Sequence, residues 1–318
     1  METSKIYQLM TKYRMSIFGL AVIWIFFRHT FYYNQVSYSF FSPIVQIGDC
    51  GVDIFMFLSG FGLYFSYTKY LKKIEFYKKR VLRIIPTVIL LLSLFAVSKD
   101  VLQGHAPTTI FHPGYWFFSV YANYWFIGAI LLFYALYPFV FYCIRKNAFV
   151  TAIFAFVLSI AGISSIHFLS VGPSGQLVVY FARFPIFVLG AVFAHHQKLL
   201  TYNKSILVLF LLSIPCLIYF PKDFQRLMYF PLAIAVSVFL PQILDKVPSI
   251  FENAFNFFGR MSLEFYLIHV FLLGMGFIGW LNTKFDIYIC VFFAYIATTI
   301  CSYLSSIVIS SVTKRLYR

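Results

Sequence analysis

The chain has 318 residues, of which 61% are hydrophobic and 11% charged, whereas a soluble domain carries roughly a quarter charged residues. That balance excludes a sizeable soluble domain and sets most side chains against lipid or other apolar helices. The net charge of +15 would suggest nucleic acid in a soluble protein; here it reads as topology, because lysine and arginine collect in cytoplasmic loops.

Apolar runs of about 20 residues recur without the alternation of a membrane barrel. The expected fold is therefore all-α, a polytopic membrane protein with a single transmembrane domain over residues 1–318. Ten spans are predicted, at about 15–33, 47–68, 82–99, 124–144, 149–169, 176–195, 204–220, 227–243, 263–282 and 287–311. The seventh and eighth are short and carry Pro215 and Pro231. With the N-terminus inside, nineteen Lys and Arg fall in inner segments against four in outer ones. Both termini are expected in the cytoplasm, and the chain in the cell inner membrane. No cleavable signal peptide is expected, since the first span follows Lys5, Lys12 and Arg14 and lacks a small-residue cleavage site. The five cysteines are scattered, without metal spacing; they read as apolar fillers, and no metal is expected.

The stretch from Gly48 to Pro86 joins an apolar span holding one acid, Asp53, to a Ser59-Gly60-Phe61 break. A basic loop follows, with Lys69, Lys72, Lys73, Lys78, Lys79, Arg80 and Arg83. Arg80 and Arg83 at i, i+3 share a helix face and suit a phosphate, a topogenic cluster or an anionic-lipid contact. The outer loop 100–123 carries aromatics that include Trp116, with Trp125 just beyond. They form either an interfacial belt or a platform for stacking sugar rings. No inverted repeat of the transporter kind is visible.

Ionisable groups inside spans are costly and point to function. Here they are Arg28, His29, Asp53, Arg183, Glu264 and His269. At 1.5 Å per residue, His29, Asp53 and Arg183 each lie roughly 9–10 Å below the outer surface of a core about 30 Å thick. Asp53 either supports His29 as a base or is neutralised by Arg28 or Arg183. Ser262, Tyr266 and His269 share a face at i, i+4 and i+7, about 9 Å above the inner surface at His269. A lone histidine there reads first as a packing residue.

The ordered motifs resemble the acyltransferase-3 family of ten-helix membrane O-acyltransferases. Gly51-Val52-Asp53-Ile54-Phe55 with Ser59-Gly60-Phe61 is similar to its GVDxFFxxSGF segment, and Arg80-x-x-Arg83 before Pro86 to its cytoplasmic RxxR-x-x-P. The first helix ends in His29 where the family has an essential histidine. Trp125-Phe126, Arg183-Phe184-Pro185 with Gly190, and Ser262, Tyr266-Leu267 and His269 match later, weaker motifs. A family arginine eleven residues before the histidine is Phe18 here, with Arg14 and Arg28 as the nearest substitutes.

The resemblance implies transfer of an acyl group, usually acetyl, from cytoplasmic acyl-CoA to a carbohydrate hydroxyl of the exopolysaccharide, capsule or O-antigen type. His29, Asp53, Arg28 and Arg183 are the catalytic candidates. Arg80, Arg83, Lys79, Ser59, Tyr266 and His269 are the CoA-facing set, and Trp116 and Trp125 the acceptor contacts. The expected partners are the lipid bilayer, acyl-CoA and the acceptor, with no nucleic acid; a homo-oligomer is compatible with the sequence. A flippase for a lipid-linked glycan and a catalytically inactive relative are the competing readings.

Overall fold

In an apolar solvent a backbone must satisfy its own donors and acceptors, and helices do so within one segment. The computed structural model describes residues 5–69, 73–169, 175–197, 204–208, 210–211 and 226–316, and no strand occurs among them. The principal helices are α1 Lys5–Lys12, α2 Arg14–Asn34, α3 Cys50–Lys69, α4 Lys73–Leu102, α5 Trp125–Leu169 and α6 Gly175–His195, followed by α7 Tyr229–Leu244, α8 Ser249–Arg260, α9 Ser262–Gly274, α10 Phe277–Asn282 and α11 Ile287–Leu316. Among the described residues, seven helical stretches are long and apolar enough to cross a membrane, or eight if the bent pair α8–α9 is one crossing.

Several boundaries differ from the sequence reading. Helix α5 is 45 residues long, and Asn147 (φ −158°, ψ 102°) breaks it between the expected spans 124–144 and 149–169. The expected span 204–220 lies outside the described residues apart from 204–208 and 210–211. The expected span 263–282 is interrupted: α9 stops at Gly274, and Gly276 takes a left-handed conformation (φ +76°) before α10. Glycine adopts that conformation without the Cβ clash, which makes it a natural helix stop. Among the described residues, Lys78, Lys79, Arg80 and Arg83 do not form a loop but lie on the first turns of α4. Lys and Arg are good helix formers, and Glu75 favours the positive helix start.

Ser59-Gly60-Phe61 is no break either, since α3 is continuous through it. Its glycine serves packing instead. A Cβ on Gly60 would collide with the Phe187 carbonyl, and one on Gly190 with the Phe57 carbonyl. The two glycines thus let α3 and α6 approach backbone to backbone, as small residues do in membrane interfaces. Gly19 and Gly259 form a second reciprocal pair, each facing a carbonyl of the other's helix.

The chain divides into two compact units. The first comprises residues 1–21, 49–69 and 125–259. In it α3 packs on α6 and α7, and α5 on α6. Helix α1 is clasped to the end of α7: Leu9 and Tyr13 bury against Leu244, and Asp245 accepts hydrogen bonds from Tyr13 (2.9 Å) and Lys12 (3.1 Å).

The second unit comprises residues 22–48, 70–124 and 260–318. Here α9 packs against α11 and α4. The connection after α4 is pinned rather than splayed. Asp100 accepts from the Thr109 amide (2.9 Å) and hydroxyl (2.6 Å), the Tyr115 hydroxyl donates to the Leu92 carbonyl (2.6 Å), and the Trp116 indole donates to the Ile110 carbonyl (2.9 Å).

Candidate active site

Three elements of the second unit bring ionisable candidates together: the end of α2, the start of α4 and helix α9. His29 on α2 and His269 on α9 meet, with His29 Nδ1 2.8 Å from His269 Nε2. On its other side, His269 Nδ1 lies 2.7 Å from the Phe265 carbonyl oxygen. A carbonyl only accepts, so His269 Nδ1 carries the hydrogen and, in the neutral ring, Nε2 is left as an acceptor. His29 must then donate from Nδ1, which leaves the lone pair of His29 on Nε2. The tautomer of His29 is thereby set by a partner whose own tautomer is set by the backbone.

Packing holds the pair in place. His269 is fully buried, with the rings of Phe26, Phe265 and Tyr266 at 5.7–5.9 Å. His29 is half-buried, and Tyr33, one turn further along α2, stands edge-on to it at 5.6 Å.

A cavity of about 540 Å³ opens at the other end of α9. Five cations line it: Lys79, Arg80 and Arg83 of α4, Arg260, and Lys314 of α11; a single carboxylate, Glu264, faces them among the described residues. The hydroxyls of Ser262, Ser306 and Ser310 share the wall. Glu264 accepts from Thr87 at 3.5 Å. Such a concentration of forked and flexible cations suits a ligand with several phosphates. The ADP and 3′-phosphate end of CoA is such a ligand, and Arg80, Arg83, Lys79, Arg260 and Lys314 are the residues that would hold it.

The face Ser262, Tyr266, His269 joins the two features. Ser262 lines the basic cavity, and His269, seven residues on, is about 10 Å further along the helix axis at 1.5 Å per residue. Tyr266 is buried between them.

The remaining sequence candidates are distributed differently. Asp53 and Arg183 belong to the first unit and form an ion pair there, with side-chain exposures of 0% and 2%. Arg183 also reaches the Asp49 carbonyl at 3.4 Å and covers the Tyr229 ring. The alternative in which Arg183 neutralises Asp53 is the one observed, and the ring that His29 meets is an imidazole. Ser59 is buried on α3, and Trp125 opens α5 beside Phe126, both in the first unit. Trp116 is committed through its indole to Ile110. Arg28 lies against the rings of Phe31 and Tyr32, each 5.7 Å away. Phe18 stacks on Phe55 at 4.7 Å, and the Arg14 guanidinium covers Phe18 and donates to the Leu58 carbonyl at 3.1 Å.

Sequence reasoning missed Arg260, Lys314 and the hydroxyls of α11 as parts of one cavity. The signal was present in the Ser306, Ser310, Thr313 spacing, which places three hydroxyl residues on one face of α11. The two cations were counted only as topogenic charges.

The acyltransferase-3 family model, described as an acyltransferase domain, matches residues 19–314. No curated protein and no solved structure matches the chain.

Proposed function

Because the chain belongs to the acyltransferase-3 family, as a multi-pass helical acyltransferase, we propose that it moves an acyl group, acetyl in the first instance, from acyl-CoA to a hydroxyl of a surface carbohydrate or its precursor. The proposal includes a cytoplasmic basic cavity, an inner-membrane location and both termini in the cytoplasm. The observation that carries it is the arrangement of α9, with a five-cation cavity at one end and the His29–His269 pair about 10 Å along it.

CoA docks its phosphates on Arg80, Arg83, Lys79, Arg260 and Lys314, and its pantetheine arm follows α9 past Tyr266. His29 Nε2 takes the proton of the acceptor hydroxyl as the oxygen attacks the thioester carbonyl. The tetrahedral intermediate collapses, the C–S bond breaks, and the imidazolium of His29 returns the proton to the departing sulfur, which leaves as the thiol of CoA. The sum is alcohol plus acyl-CoA giving ester plus CoA, with no redox change. His269 acts as a positioning residue: its lone pair holds the Nδ1–H of His29 and supports the imidazolium while it exists. Asp53 and Arg183, paired with each other, hold α3 on α6.

The test is acetyl-CoA binding and acetyl transfer by the detergent-purified protein, compared with His29→Ala and with Arg80→Ala/Arg83→Ala. The expected result is binding without transfer in the first and loss of binding in the second. Transfer that persists in His29→Ala overturns the assignment of the base. Wild-type protein that is folded yet binds no acetyl-CoA overturns the function.

A further inference from the structure

A second cavity, of about 370 Å³, lies in the same unit beside the imidazole pair. Tyr33, whose ring meets His29 at 5.6 Å, forms one wall, and Val270, the neighbour of His269, forms part of another. Phe271, Phe95 and Tyr124 make a layered aromatic side, with Phe271 on Phe95 at 4.1 Å and 6°, and Phe95 on Tyr124 at 6.1 Å. Asn123 and Ser119 bring polar groups to the rim. The volume is at the small end of the roughly 300–1,000 Å³ typical of small-molecule sites. It has room for a single sugar residue rather than a length of chain. Flat rings accept the apolar face of a pyranose, while amide and hydroxyl groups pair with its edge.

The charge on this chamber is one-sided. Lys99 is its one charged lining residue among the described residues. The adjacent acid, Asp100, has both oxygens occupied by Thr109 and does not line the chamber. An ammonium on the rim of a partly enclosed apolar cavity, facing no carboxylate on the same wall, attracts an anion.

We propose that this chamber is the acceptor subsite and that Lys99 selects an acceptor sugar bearing a negative charge, either a carboxylate or a phosphoryl group. The inference rests on the acyltransferase reading and deepens it. The acceptor ring lies against the aromatic side that Phe271, Phe95 and Tyr124 make, its anionic group pairs with Lys99, and a hydroxyl on the opposite side points past Tyr33 to His29 Nε2. Trp116, the expected sugar contact, does not line this chamber; its indole donates to the Ile110 carbonyl.

The probes are methyl β-D-glucuronide, glucose 1-phosphate and the neutral methyl β-D-glucoside, with binding read by saturation-transfer NMR on the full chain in detergent. Wild-type protein is expected to prefer one or both anionic probes over the neutral one by about tenfold, one charge-assisted contact. Lys99→Gln should lose that preference while binding the neutral glucoside as before. Preference for the glucuronide supports a sugar acid, and preference for the phosphate supports a phosphorylated sugar. Equal binding of all three probes by the wild type, or a preference that survives in Lys99→Gln, overturns the inference. Acetyl-CoA binding in the same samples separates the two levels. If it is intact while the anionic preference is missing, the inference fails and the function stands; if it is missing, the function itself fails.

Discussion

His269 Nε2 accepts the Nδ1–H of His29 across 2.8 Å, while its own Nδ1–H is held by the Phe265 carbonyl at 2.7 Å. The unprotonated nitrogen of His29 is thus determined two bonds away, by a main-chain oxygen. Removing His29 as His29→Ala should lower kcat by about 10²–10⁴-fold, the usual contribution of a positioned base, with acetyl-CoA affinity unchanged. His269→Gln should act on kcat alone and more weakly, since an amide carbonyl can still accept from Nδ1. His269→Leu, which offers no acceptor, should approach the His29→Ala value. A KM change as large as the kcat change would mark His269 as a packing residue only.

The basic cavity predicts a graded loss of CoA. Single substitutions Arg83→Ala, Arg260→Ala or Lys314→Ala should each weaken acetyl-CoA by about 10–100-fold, since hydrogen bonds to charged groups contribute about 1.5–3 kcal/mol. Dephospho-CoA, one phosphate short, should be insensitive to at least one of the three. Isothermal titration in detergent measures this. Uniform losses for both ligands at all three positions would mean that the cations act as a diffuse field.

The Gly60–Gly190 contact predicts that Gly60→Ala and Gly190→Ala each destabilise the first unit by about 1–3 kcal/mol or more, the usual range for overpacking. Because either Cβ already forces α3 and α6 apart, the double variant should cost less than the sum of the singles. Thermal unfolding in detergent decides between this and simple additivity.

For the buried pair, Asp53→Ala and Arg183→Ala should each cost about 3–5 kcal/mol, because the surviving partner is an uncompensated buried charge. Replacing both, as Asp53→Leu/Arg183→Met, should recover much of the loss. A double variant worse than either single would assign the pair a role beyond mutual neutralisation.

The α1 clasp is pH-dependent. Hydrogen bonds from Lys12 and then Tyr13 hold the Asp245 carboxyl below the usual carboxylate range. A depressed carboxylate contributes stability above the unfolded value, about pH 4, and loses it as pH falls through the lower folded value. Amide exchange in residues 5–13 should therefore accelerate below about pH 4. In Asp245→Asn it should be fast already at neutral pH.

Much of this was legible in the sequence, and the gaps have physical causes. The helix ends of α2, α6 and α7 lie within about two residues of their hydropathy boundaries, and His29 stood out as a polar group at depth. Counting from the inner end of the span 263–282 sets His269 on the inner side, while His29 counts to a level near the outer surface. In the fold the two rings meet across 240 positions of chain, a contact that rise along separate helices does not reveal. Helical rise sets His29, Asp53 and Arg183 at one level; of these, Asp53 and Arg183 meet as an ion pair, and spacing along separate helices cannot tell which charges share a contact. Arg260 and Lys314 were hidden for the opposite reason. Each has an ordinary topogenic explanation, and only packing of α4, α9 and α11 reveals a common cavity.

The Phe265 carbonyl also ends the hydrogen-bond chain of the imidazoles. It has no proton to hand on and cannot release one, so the line from His29 through His269 is a cul-de-sac. On the proposed mechanism, a proton that His29 lifts from the acceptor has one productive way out, back to the departing sulfur. On the proposed mechanism, turnover therefore moves no net charge along the histidines.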